Sequence, residues 1–452
     1  MRRRKIIKKD ILNGNLAEQI MLITIPITGS YIIQQLYQFV DSIVLGRYAS
    51  VEALAAIGGS ATMIINVILN IVCGIATGVM IIVAQNYGND NDDGVRNSVR
   101  TGIFVAVVFG GIISILSAIG SKPLLHLMNC PEEIIHDSLI YMYFYFAAII
   151  PYSIYTFGLY ILRATGDTKI STLFTIIIAV TKIALDLLLT AVFKMGVWGV
   201  SISTIASYLI CGIIVLIILN RSTDSYQYTI KEFGYDNKIL KNIFKIGIPI
   251  AIQSAAFAIT NAYVSVKINA FGTNAIAAFG AYNNVDNFYW SFSNAIGSAV
   301  ITIIGQNYGN KNYKRVKEAL KYGIIIDAVA SILIGVFEYF CGIYVIELFT
   351  TNIDVINIAN NMVQFISKVY ITYLFVEMIS GTIKGCGDSM NSMIIALIGI
   401  CGVRFAYLTF VKFTDVVQVL YCYPISWLIT SIIYLMYYLL NKKYKKLLSH
   451  NN

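Results

Sequence analysis

The chain has 452 residues, of which 57% are hydrophobic and only 13% charged; its 33 Lys and Arg exceed its 24 Asp and Glu, giving a net charge of +9. A soluble domain carries roughly 25% charged residues, so a water-facing surface is excluded and a lipid-facing one is expected. Three His and seven scattered Cys offer no spacing for a metal site or a disulfide framework.

The bilayer core is ~30 Å thick and a helix rises ~1.5 Å per residue, so one span needs ~20 apolar residues. In chain order such runs lie near 20–45, 56–83, 101–120, 138–160, 171–193 and 197–219. A second set lies near 246–270, 277–304, 322–345, 360–383, 392–413 and 419–440. These runs are too long for the ~10-residue alternation of a membrane β-barrel. The expected fold is therefore an all-α integral membrane protein of twelve transmembrane helices.

The start, MRRRKIIKKD, resembles the basic region of a signal peptide, but the apolar stretch runs past Val40 with no small-residue cleavage site. It reads as the first retained span. Residues 220–245 are the one long polar stretch inside the chain, and their end, Asn237–Lys245, is basic and amphipathic, as for a segment lying at the interface. The expected division is an N-terminal six-helix lobe at 1–219, a cytoplasmic linker at 220–245 and a C-terminal six-helix lobe at 246–452.

Charge gives the orientation. With the N-terminus in the cytoplasm, 25 of the 33 Lys and Arg fall on the cytoplasmic side. Four fall outside (Arg47, Lys122, Lys194 and Lys412), and Lys182, Lys267, Lys368 and Arg404 lie within spans. That bias places both termini inside, in the cell (plasma) membrane, which is an inner membrane where there are two. The excess charge lies near anionic lipid. Spread over seven segments, it is a poor match for nucleic-acid binding.

The halves are two copies of one unit. Gln85-Asn86-Tyr87-Gly88-Asn89-Asp90-Asn91 recurs 221 residues later as Gln306-Asn307-Tyr308-Gly309-Asn310-Lys311-Asn312. Arg163-Ala164-Thr165-Gly166-Asp167 recurs as Lys384-Gly385-Cys386-Gly387-Asp388, and Pro26 recurs as Pro249. Each half holds an even number of spans, so the repeats are parallel, related by a pseudo-two-fold axis along the membrane normal. Both glycine motifs read as structural turns, with Gly ending a helix. Pro26 and Pro249 each remove a backbone hydrogen bond early in a span and are candidate hinges.

Ionisable residues inside a membrane cost ~2.5–3.5 kcal/mol each on insertion scales, so each is a functional candidate. Gln34, Tyr37 and Asp41 share one face of the first span. Asp41 either belongs to a site or ends the span at the headgroups beside Arg47. Lys182 and Asp186, at i and i+4 in the fifth span, can meet on one face. Lys182 is ~16 Å from either end, too far to snorkel, so the pair is either a static ion pair or a titratable cluster. In the second half stand Asp286, Glu338, Glu377 and Arg404. Glu377 either faces a central cavity as an anionic lure for cations or pairs with Arg404.

Together these residues resemble the multidrug and toxin extrusion (MATE) transporters, and Pro424-Ile425-Ser426-Trp427 looks like the clostridial-type bacterial members. The resemblance covers nearly the whole chain. It implies an antiporter, not an enzyme, that extrudes cationic amphipathic compounds in exchange for H⁺ or Na⁺ by alternating access. It implies an ion site on Asp41, Asp186 and Thr204, with Gln34 and Tyr37 nearby. Lys182 stands where one branch has Asn, and an ammonium in place of an amide oxygen argues for protons over sodium. Asp286, Glu377 and Arg404 are the candidate substrate-binding residues. No cofactor or resident metal is expected beyond the transported ion. The expected partners are small cationic substrates and membrane lipids, with a monomer as the default. The alternative is a flippase for a lipid-linked oligosaccharide or other amphipathic lipid. A membrane enzyme lacks a nucleophile–base constellation, and a channel leaves Lys182 and Asp186 unexplained.

Overall fold

A computed structural model describes residues 11–48, 59–128 and 130–449. Within the first helix the side chains of Gln38, Asp41, Ser42, Ile43 and residues 45–48 lie outside the described set. The described residues are helical with no strand, as the long apolar runs require. The first half comprises α1 (Leu16–Tyr48), α2 (Ser60–Gly88), α3 (Asp92–Leu127), α4 (Glu132–Ala147 and Ile149–Ala164), α5 (Thr168–Asp186, continued by a π turn at Leu187–Val192) and α6 (Val197–Arg221). The second comprises α7 (Asn237–Asn269), α8 (Thr273–Gly309), α9 (Tyr313–Glu347), α10 (Ile353–Ile366 and Tyr370–Gly385), α11 (Ser389–Phe410) and α12 (Val416–Leu420 and Cys422–Leu440). A short basic helix, α13 (Lys442–Ser449), follows.

Ten of these helices are long and apolar enough to cross a membrane, and α4 and α10 bring the number to twelve when each bent pair counts as one span. The bends have local causes. In α4 the two parts meet at 47° around Ala148. Pro151 stands four residues after Ala147, where its ring crowds the Ala147 carbonyl and offers no N–H. The 42° bend of α10 has no proline. There a 3₁₀ turn at Tyr370–Thr372 interrupts the helix, and freed carbonyls find side-chain donors: Ser431 Oγ to Thr372 O at 3.1 Å and Tyr289 OH to Tyr370 O at 3.4 Å. Buried backbone groups need such partners most where water is absent.

The repeat is visible in backbone geometry. Gly166 and Gly387 both take positive φ, at 86° and 80°, as turns that only glycine makes without strain. The Gln-Asn-Tyr-Gly motif corrects one expectation. Gly88 and Gly309 are the last helical residues, and the left-handed position falls on Asp90 (φ 55°) and Lys311 (φ 59°). Asn91 and Asn312 then cap the next helix, accepting from Gly94 N at 3.0 Å and Arg315 N at 3.3 Å, as N-cap side chains do. Asn237–Lys245 is helical and forms the start of α7. Asp236 Oδ1 caps it, accepting from Lys238 N and Ile239 N at 2.9 Å each.

The chain divides into two compact units that cut through α1 and α7. Among the described residues, one unit lies within Gly29–Ala255, and the other takes in the chain from residue 11 to Thr28 together with the described residues from Ala256 onward. In the first unit, Thr101 Oγ1 accepts from Asp236 N at 3.0 Å and Arg100 donates to Tyr235 O, holding the entry to α7 on α3. In the second, Arg315 donates to Gly14 O at 2.8 Å and Ile11 O at 3.1 Å, holding the entry to α1 on α9. Small residues let backbones touch. A Cβ on Gly78 would meet Gly247 Cα at 2.9 Å, and one on Gly247 would meet Ile75 Cα at 2.9 Å. Between membrane helices, where lipid removes the hydrophobic drive, such close approach is the main source of packing energy.

Candidate functional site

The first-unit cluster is set by helix geometry. Lys182 and Asp186 stand one turn apart on α5, and Lys182 Nζ lies 2.7 Å from Asp186 Oδ2. Asp186 is fully buried and Lys182 is 6% exposed. Ser203 on α6 donates its hydroxyl to Asp186 Oδ1. Its oxygen lies 3.5 Å from Lys182 Nζ and 2.8 Å from Val200 O. The ammonium, the carboxylate and the serine therefore close a small polar ring between α5 and α6. Asp186 is the last α-helical residue before the π turn at Leu187–Val192, a distortion common at functional positions.

The other expected residues are placed less closely. Thr204, buried beside Ser203, sends its hydroxyl to Val200 O at 2.8 Å, along its own helix. Tyr37 is buried and within electrostatic range of Tyr208, one turn after Thr204. Gln34 is exposed. Asp41 lies in α1, but its side chain is outside the described set. Ser203 went unread in the sequence because one serine among many small hydroxyls on α6 carries no signal of which face meets α5.

The second unit gathers the remaining candidates around an aromatic cluster. Trp290 of α8, Tyr373 of α10 and Trp427 of α12 pack with ring centroids 4.9–6.0 Å apart. The Arg404 guanidinium lies 4.4 Å from the Tyr423 ring centre and 5.9 Å from that of Trp427, a cation–π arrangement. Its hydrogen bonds go to Asn261 Oδ1 at 2.9 Å and Ser426 Oγ at 3.0 Å. Glu377 takes its hydrogen bond from Tyr373, at 3.0 Å, and lies against Gly297. The expected alternative of a Glu377–Arg404 ion pair is thus not the arrangement present.

Asp286 accepts from Trp290 Nε1 at 2.7 Å and from Tyr370 OH at 2.7 Å. The same phenol oxygen lies 2.6 Å from Glu338 Oε2. Tyr370 has one hydrogen for two carboxyl neighbours, so these three groups form a tightly coupled set. Tyr370 occupies the 3₁₀ turn at the bend of α10, stacked on Tyr289 with centroids 3.7 Å apart. Asp286 and Glu338 were legible as intramembrane acids; the tyrosine joining them, one of 31, was not.

Comparison with known proteins agrees with this architecture. The MatE family model matches residues 26–188 and 249–408, one match in each half. The chain is 26% identical over 394 residues to the probable multidrug resistance protein YoeA of Bacillus subtilis (strain 168), covering 85% of this chain and 84% of that one. It is 23% identical over 392 residues to the probable multidrug resistance protein NorM of Thermotoga maritima, covering 86% and 84%. A multidrug resistance MATE family transporter of the MOP superfamily, solved in an outward-facing conformation, superposes with a TM-score of 0.87 at 21% identity, covering 95% of this chain and 96% of that one. Two family-model matches at the repeated halves, over a fold of twelve membrane helices, place this chain in the MatE family of multidrug efflux transporters, multi-pass membrane proteins that are not enzymes.

Proposed function

We propose that the protein extrudes cationic amphipathic compounds in exchange for protons. The observation that supports proton coupling is the buried ring of Lys182, Asp186 and Ser203. An ammonium 2.7 Å from the carboxylate already supplies the positive charge that a sodium ion would bring. A proton, by contrast, moves between such groups without displacing either side chain. Protonation of Asp186 would break its attraction for Lys182 and bias the packing of α5 on α6. Asp41, Gln34, Tyr37 and Thr204 would complete this site. Asp286, Glu377 and Arg404, around the aromatic cluster, would contact substrate, with Glu377 attracting cations. Pro26 and Pro249 would be the hinges of alternating access; the boundaries between compact units fall shortly after each, at Thr28 and at Ala255. A monomer in the plasma membrane with both termini cytoplasmic completes the reading, on the strength of the basic-residue bias.

The test is efflux of a fluorescent organic cation from proteoliposomes under an imposed proton gradient. Efflux that is driven by protons and lost in Asp186→Asn is expected. Proton-driven efflux that persists unchanged in Asp186→Asn, with normal expression, would sink the coupling assignment. Absence of efflux under any ion gradient would overturn the antiport reading itself. For substrate, Glu377→Gln is expected to weaken the apparent affinity for cationic compounds; unaltered affinity for every transported cation would remove Glu377 from the site.

A further inference from the structure

A basic cluster stands at the end of the last span, apart from both groups of transport candidates. Four of the five residues from Lys442 to Lys446 are lysine, and no Asp or Glu follows Asp415. This run starts α13, which is fixed in place. Asn441 ends α12 and caps α13: its Oδ1 accepts from Lys443 N and its carbonyl from Lys445 N, each at 2.9 Å. Tyr444 is fully buried, with its hydroxyl 3.2 Å from Asp388 Oδ2. Lys443 donates to the Cys386 carbonyl at 3.1 Å, beside the Tyr308 ring. The turn between α10 and α11 therefore holds α13 as a docked helix.

Lys442 and Lys445 are left outside. They stand one turn apart, are exposed, and have no acidic partner among the described residues. Beside them lies a groove of about 500 Å³ between α11 and α12, lined by Ile395, Ile433, Met436, Tyr437, Leu440 and Asn441. Ile433, Met436 and Leu440 recur at i, i+3 and i+7 and form one stripe of α12. The stripe ends at Asn441, the residue before Lys442. Tyr437 belongs to the groove wall, and its hydroxyl donates at 2.8 Å to the same Asp388 oxygen that Tyr444 reaches. One carboxylate thus fixes the wall and the basic helix relative to each other.

The chemistry selects the occupant. Met436 and Leu440 are 54% and 61% exposed on a membrane-spanning helix, so the groove opens to lipid. Lysines at the end of a span reach the headgroup level, where they attract anionic lipid. A cationic amphipath would meet two lysines at the mouth, while the nearby Asp388 is already engaged by Asn391, Tyr437 and Tyr444. We propose that the groove and the Lys442–Lys445 pair form a binding site for an anionic phospholipid. One acyl chain would lie between α11 and α12, and the headgroup phosphate would sit on the two ammonium groups. The bound lipid would brace α11 against α12 at the end where α13 docks. The site shares no residue with the transport reading, so either can fail without the other.

Purified full-length protein in detergent would be given phosphatidylglycerol or phosphatidylcholine with the same acyl chains at equal concentration, and bound lipid counted by native mass spectrometry. The wild type is expected to prefer phosphatidylglycerol by about tenfold or more, since each lysine near an anionic surface contributes a factor of about five. Lys442→Gln/Lys445→Gln should lose most of that preference. Lys238→Gln/Lys241→Gln, which removes the same charge from the start of α7, should keep it. Met436→Trp, which fills the groove and leaves the charges, should reduce retention of phosphatidylglycerol. All of these side chains are exposed; should Met436→Trp fail to fold, Leu440→Trp carries that arm. Equal retention of the two lipids by the wild type overturns the proposal. So does a preference unchanged in Lys442→Gln/Lys445→Gln, or lost equally in the α7 variant, because the basic face as a whole would then be the attractant. Retention unaffected by filling the groove, or a dimer of the chain covering it in place of lipid, overturns it as well.

Discussion

At the scale of single residues, the protein places charges where each depends on its neighbours. Lys182 and Asp186 are both removed from solvent and joined at 2.7 Å. Removing one partner of a buried ion pair leaves an uncompensated charge and typically costs about 3–5 kcal/mol, while replacing both by apolar groups is often neutral. Lys182→Met is therefore expected to lower the thermal unfolding midpoint in detergent clearly, and Lys182→Met/Asp186→Leu to recover most of the loss. Equal losses in the single and double variants would mean that the pair is not energetically coupled. Tyr370→Phe removes the one hydrogen shared by Asp286 and Glu338. A buried acceptor left without its donor costs about 1–3 kcal/mol, so this variant should lose stability by that order in the same assay. Tyr289→Phe, whose hydroxyl bond to the Tyr370 carbonyl is long at 3.4 Å, should lose less.

At the scale of elements, distortions have assignable causes and therefore assignable consequences. The bend of α4 follows from Pro151, and the bend of α10 from a 3₁₀ turn braced by Ser431 and Tyr289. Where α2 meets the first part of α7, Gly78 and Gly247 leave no room for side chains. Gly78→Leu would force the helices apart, and overpacking of this kind typically costs about 1–3 kcal/mol or more. It should reduce the yield of folded protein in size-exclusion chromatography, whereas Gly280→Leu, a site with nothing within 4 Å of an added Cβ, should not. An intact Gly78→Leu protein would show that the close approach is dispensable.

At the scale of the whole molecule, duplication organises the chain. The turn glycines Gly166 and Gly387, the left-handed residues before α3 and α9, the asparagine caps and the π turns of α5 (Leu187–Val192) and α11 (Leu397–Gly402) form matched pairs, one member in each half. The cations Arg163 and Lys384 and the acids Asp167 and Asp388 recur with the turns, but the acids within the spans do not: Asp186 belongs to one half, Asp286, Asp327, Glu338 and Glu377 to the other. A duplicated scaffold with unlike charge content lets the halves take different roles. The basic-residue bias leads to a topological prediction. A reporter fused at either terminus should be protected from externally added protease in intact cells and cleaved only after lysis. Cleavage in intact cells would reverse the orientation.

The sequence by itself determined the class of fold, the number of spans, the repeat and the identity of the intramembrane charges. These follow from apolar run length, from recurring motifs and from the rarity of charge in a lipid-facing chain, all local or compositional properties. Pairing within one helix was also legible, because i, i+4 spacing alone brings Lys182 to Asp186. Only the tertiary structure decided what meets across helices. It selected Ser203 on α6 as a partner of Asp186, joined Asp286 to Glu338 through Tyr370, gave Arg404 to Asn261 and aromatic rings in place of Glu377, and docked Tyr444 of α13 on Asp388. The reason is physical. Which face of one helix lies against which face of another depends on close packing of many weak contacts, and no short stretch of sequence records it.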